Sequence, residues 1–123
     1  MARGVDGTST SGLPLWHVTL TVAGEAVTAA ELRTGLERLV EERPFMLAVK
    51  YSADRAELRY WDEAEDVDDA AALALRIWGD HRASCELPAW RVVGIEVIDR
   101  ETVHVRGVER PQTPLIVAGV APF

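Results

Sequence analysis

Residues 16–23, WHVTLTVA, alternate without a break: Trp16, Val18, Leu20 and Val22 fall on one side, His17, Thr19 and Thr21 on the other. A period of two belongs to an extended strand, whose successive side chains point to opposite faces. Such a strand has to be paired along its edges and covered on its apolar side, while its other side stays polar. The pattern then switches. After Gly24 the run T-A-A-E at 28–31 reads as a capping box, Thr28 accepting from the backbone of Glu31 and Glu31 reaching back. Leu32, Leu36, Leu39 and Val40 follow on one helical stripe, and Pro44 ends it.

Two more strand-like runs, FMLAVKYS (45–52) and AELRYW (56–61), flank Ala53-Asp54-Arg55 and predict a hairpin. Leu47, Val49, Tyr51, Leu58 and Tyr60 would face its core side. An Ala-rich helix is expected from about Asp68 to Ser84, with Ala70, Ala71, Leu73, Ala74, Leu75, Ile77 and Trp78 in its apolar band. ELP (86–88) breaks the chain before a strand at 90–98, WRVVGIEVI, with Val93, Ile95 and Val97 on one face. TVHVR (102–106) alternates and predicts a short extra strand, and LIVAGV in the tail can add to a sheet edge or pack on a partner.

The order β-α-β-β-α-β resembles the ferredoxin-like sandwich. The expectation is an α+β fold: a four-stranded antiparallel sheet with two helices on one face and room for an extra C-terminal strand. It divides the chain into a flexible lead (1–14), one domain (15–106) and a tail or edge strand (107–123). This fold hosts many unrelated activities, so function has to be argued from side chains.

Charge narrows the partners. Asp62, Glu63, Glu65, Asp66, Asp68 and Asp69 crowd six of the 20 acids into eight positions, leaving 14 acids against 13 bases elsewhere. No basic stripe exists to neutralise phosphates, which argues against nucleic acid. No apolar run approaches the ~20 residues that span a bilayer, so no membrane partner is expected either. Cys85 stands alone, which excludes an internal disulfide and any multi-thiolate metal site, and suits a reducing cytoplasm. Lys50 beside twelve arginines, with abundant Ala, Val and Gly, has the codon bias of a GC-rich bacterial genome.

Motif residues of other families with this fold are missing. AELRYW lacks the glycine and aromatic pattern of an RNA recognition motif, and one cysteine cannot supply the CxxC of a heavy-metal-associated domain. VAGEAVTAA (22–30) offers one glycine and an acid where an acylphosphatase needs a phosphate-cradling loop with arginine. The acidic stretch has three readings: a helix start, a docking surface for a basic partner, or a cation site. It lacks the D-x-D-x-D-G spacing of a calcium loop, and acids before a helix stabilise its positive end by ~0.3–1 kcal/mol each, which favours the helix start. His81 and Cys85, four apart on the second helix, suggest a nucleophilic dyad; yet a thiol at a helix C-terminus is disfavoured as thiolate, so a structural thiol is expected.

The open side of the sheet is the remaining candidate. Alternation sends His17, Thr19, Thr21, Met46, Ala48, Lys50, Glu57, Arg59, Trp61 and Glu96 away from the helices. Of these, His17, Thr19, Lys50, Arg59 and Trp61 are the expected ligand or dimer face, with Trp61 as anchor. No catalytic residue, metal ligand or cofactor is assigned. The reading is a non-catalytic homodimeric binding or regulatory module, with a protein or small molecule as further partner. The alternative is a cofactor-free enzyme similar to the dimeric α+β barrel monooxygenases, with a pocket between sheet and helices.

Overall fold

The computed structural model describes residues 12–43, 46–109 and 119–123; residues 1–11, 44–45 and 110–118, and the side chains of Leu47 and of residues 107–109, lie outside the described residues. The first strand, β1 (Leu15–Ala23), buries Val18, Leu20 and Val22 completely and leaves Thr19 and Thr21 half-buried. Helix α1 (Ala29–Glu42) starts where expected: Thr28 is extended and its hydroxyl accepts from Glu31 N at 3.3 Å. The hairpin strands β2 (Met46–Ser52) and β3 (Arg55–Glu63) turn at Ala53-Asp54, where Ser52 Oγ donates to Asp54 Oδ1. Helix α2 (Val67–Cys85) is capped by the extended Asp66, whose side chain accepts from Asp69 N at 2.9 Å.

Strand β4 (Arg91–Asp99) completes the β-α-β-β-α-β order. Both β3 and β4 pair antiparallel with β1, and β2 pairs antiparallel with β3. The sheet has five strands rather than four, in the order β4-β1-β3-β2-β5, because β5 (Gly119–Pro122) adds itself parallel to β2. Phe123 N donates to Tyr51 O at the end of that ladder. So the extra C-terminal strand exists, at the far edge from β4.

The expected strand at 102–106 is instead part of a third helix, α3 (Arg100–Glu109). Its cause is local: Asp99 Oδ1 accepts the backbone N–H of Thr102 at 2.8 Å, satisfying one of the donors a helix leaves open at its start. That bond outweighs the weak strand preference of an alternating T-V-H-V run.

Helices α1 and α2 lay Leu32, Leu36, Leu39, Ala74, Ile77 and Trp78 on one face of the sheet, against Val18, Leu20, Val49, Leu58 and Tyr60. Fully burying each of the Leu, Ile and Val side chains among these is worth about 1.5–3 kcal/mol. Two register shifts alter the expected faces. One, between Met46 and Ala48, places Met46 opposite Tyr60 and into the core rather than on the open side. The other, between Thr21 and Val22, sets Val92 opposite Val22 and against the core, leaving Val93 46% exposed. Ile95, opposite Leu20, faces the helix side as expected but remains 39% exposed at the sheet edge.

Indole N–H groups fasten the loops to this core. Trp78 and Trp90 stack in parallel with centroids 5.9 Å apart; Trp78 Nε1 donates to Pro88 O and Trp90 Nε1 to Glu25 O. Gly24 accommodates the second indole, since a Cβ there would stand 2.3 Å from Trp90 Cδ1. The Tyr60 hydroxyl is treated less kindly: it is buried with no hydrogen-bond partner among the described residues. A desolvated, unpaired hydroxyl costs about 1–3 kcal/mol. Tyr60→Phe is therefore expected to leave stability unchanged or raise it by about 1–2 kcal/mol; urea unfolding of the two proteins measures this, and a clear loss would contradict it.

Candidate functional site on the open sheet face

The pleat of β1 and β3 that builds the core also fixes what stands on the opposite face. His17 lies directly across from Trp61, and their rings meet edge to face at 77° with centroids 5.2 Å apart. His17 is only 8% exposed and Trp61 is half-buried. Burial, then the positive charge of Arg59, pushes the His17 imidazole below its ordinary value, while Glu96 opposes the shift. His17 therefore serves as a neutral, rigid buttress for the indole. One row along the sheet, Thr19 sits between Arg59 and Glu96 in register.

Helix α3 reaches this same face. Arg106 Nη1 lies 3.4 Å from Glu96 Oε2, tying the helix back to β4. Leu15, Trp61, Arg100, Val103 and His104 line a cleft of about 350 Å³ where α3 meets the ends of β1 and β3. Trp61, with His17 against its ring, supplies the aromatic surface of the cleft, and Arg100 and His104 its polar side chains.

All five residues expected from alternation belong to the sheet strands, but they do not form one cluster. His17 and Trp61 touch, and Thr19 and Arg59 are cross-strand neighbours. Lys50 is exposed on β2 opposite Glu57, away from the cleft. Val103 and His104 are absent from the expected face because the alternation of 102–106 predicts a strand where a helix stands, and Leu15 and Arg100 lie outside the alternating runs that define that face. The signal that would have found them is Asp99 three residues before Thr102, a helix cap.

The acidic stretch divides between two elements. Asp62 and Glu63 end β3, Asp66 caps α2, and Asp68 and Asp69 occupy its first turn. Asp62 Oδ1 accepts from Glu63 N, and burial pushes its carboxyl above the usual range. At the other end of α2, His81 Nδ1 lies 2.7 Å from Glu42 Oε1, and Ser84 Oγ donates to the same oxygen at 2.9 Å. Cys85 is fully buried, which pushes its thiol up and keeps it from acting as an activated nucleophile.

A family model covers residues 15–114, and the chain belongs to that family, described as Domain of unknown function (DUF8830). No curated protein matches the sequence. Among solved structures, the chain is similar to an acylphosphatase from Coxiella burnetii, at 16% identity and a TM-score of 0.42, over 89% of this chain and 94% of that one.

The lowered imidazole has a measurable sign. The unfolded chain takes up a proton on His17 near its ordinary value of 6.5, while the folded chain resists. Stability attributable to this group is complete above that value and is lost as pH falls through it toward the folded value. His17→Phe is expected to flatten the pH dependence of the urea midpoint between about pH 7.5 and 5; an unchanged slope would show that His17 is not held neutral.

Proposed function

We propose that this DUF8830 family member is a non-catalytic binding module that works through the open sheet face, as a homodimer with a small-molecule cleft at the α3 end. The observation that carries this reading is the His17–Trp61 pair. A large aromatic ring is held rigidly edge-on at a surface that α1 and α2 do not cover, and such preorganised, half-buried indoles are the usual anchors of binding surfaces. Arg59 and Lys50 stand exposed beyond it, next to Glu57, and give two copies opposite charges to match. In the cleft, the Trp61 indole with Arg100 and His104 suits a small flat ligand bearing a negative charge. The buried, protonated thiol of Cys85 is consistent with a reducing cytoplasm.

The alternative, a cofactor-free monooxygenase-like enzyme with its pocket between sheet and helices, draws less support. That space is filled by Leu20, Leu36, Leu39, Leu58, Tyr60 and Trp78. The cleft on the other face presents an imidazole and a guanidinium but no paired acid and base of the kind proton transfer needs.

Sedimentation velocity at micromolar concentration tests the dimer. The wild type is expected to sediment as two chains, and Trp61→Ala and Arg59→Glu to shift it toward one. A wild type that stays monomeric throughout that range contradicts the dimer. A small-molecule role for the cleft predicts quenching of Trp61 fluorescence by aromatic carboxylates in the wild type and a weaker response in Arg100→Ala.

A further inference from the structure

The C-terminal turns of α1 and α2 meet at a second cluster, which the open-face reading does not use. Gly35 permits the approach: a Cβ there would lie 3.0 Å from the carbonyl oxygen of Cys85 and 3.1 Å from Leu87 Cδ2. Seven residues later, two helical turns on, α1 delivers Glu42 to the last turns of α2. There His81 and Cys85 stand four apart, on one face of the helix. A carboxylate oxygen of Glu42, a ring nitrogen of His81 and the sulfur of Cys85 all lie within 4.8 Å of one another.

That triangle is close to what a tetrahedral ion requires. With metal–oxygen and metal–nitrogen bonds near 2.0 Å and a metal–sulfur bond near 2.3 Å, neighbouring donors stand roughly 3.3–3.6 Å apart. The Glu42–His81 hydrogen bond of 2.7 Å would open by less than an ångström to admit the ion between them. We propose that Glu42, His81 and Cys85 form a three-donor site for a zinc-class divalent ion where the C-terminal ends of α1 and α2 converge.

Electrostatics point the same way. Glu42 closes α1 and Cys85 closes α2, so the cluster sits among last-turn residues, where each helix carries the negative end of its dipole. Helix α1 adds Glu41 and Glu42 and has no basic residue in its last turn. Without metal, hydrogen bonds hold the cluster together, Ser84 Oγ donating to Glu42 Oε1 and His81 Nδ1 lying 2.7 Å from the same oxygen. Binding exchanges a proton for the ion, the thiol S–H breaking as the metal–sulfur bond forms and its proton passing to solvent.

The donor set also selects the class of ion. A thiolate with an imidazole suits zinc or cobalt, whereas calcium and magnesium take oxygen donors. Three protein donors leave a fourth position for water. Ser84 Oγ, donating to Glu42 Oε1, is a positioning group that aims the carboxylate without touching the ion.

Cobalt(II) is the probe, because thiolate ligation gives a sulfur-to-cobalt charge-transfer band in the near ultraviolet. Titration of the full chain is expected to produce that band with one ion per chain, reversed by added zinc and accompanied by release of about one proton. Cys85→Ser should abolish the band, and Glu42→Gln and His81→Ala should each weaken binding by at least about tenfold. If Cys85→Ser proves unfolded by circular dichroism, the other two variants decide, since neither side chain is in the core. No band at millimolar cobalt overturns the proposal. So does a band whose affinity is unchanged in both Glu42→Gln and His81→Ala, which would mark thiol binding without a built site.

Discussion

Everything in this molecule depends on how β1 sits between β3 and β4. Val18 lies across from Tyr60 on one side and Val97 on the other, and Leu20 across from Leu58 and Ile95. Because side chains alternate, a slip of one residue in either ladder would send the core set to the open face and bring His17 and Thr19 under the helices. The register thus decides two surfaces at once. The helix side becomes a close-packed interior, and the opposite side acquires an aromatic pair with charged neighbours that the interior could not accept.

The two faces put polar chemistry in different places. On the open face, α3 returns along the sheet and makes a cleft out of what would otherwise be a flat surface. On the helix side, hydrogen-bonding capacity is pushed to the periphery, where Trp16 donates to Ala64 O, Trp78 to Pro88 O and Trp90 to Glu25 O. Those bonds let large indoles fill space without stranding their N–H groups. The Tyr60 hydroxyl is the exception, and the cluster at the ends of α1 and α2 is where polar side chains of two helices meet directly.

Much of this was legible from sequence wherever one local rule dominated. The alternation of WHVTLTVA, the Thr28 cap and the Ala-rich second helix each correspond to an observed element, and the order β-α-β-β-α-β with it. What failed were competitions between rules. In TVHVR an alternating pattern lost to a cap supplied by Asp99, outside the run itself. The shifts at Met46 and Val92 leave no mark in single-chain periodicity, because an extra residue in a ladder is defined only by the partner strand. For the same reason His81 and Cys85 could be paired by their spacing, while Glu42 could not, since its position depends on how closely α1 approaches α2 at Gly35.

The central place of β1 also has a meaning in time. This strand leaves the ribosome before either of the strands it pairs with, and its partner in β4 is separated from it by two helices and a hairpin. Until β3 and then β4 arrive, α1 alone can shelter Val18, Leu20 and Val22, and both edges of β1 stay open to foreign strands. Contacts so distant along the chain form slowly. The interval between making β1 and pairing it is when a nascent chain of this kind is most exposed to aggregation.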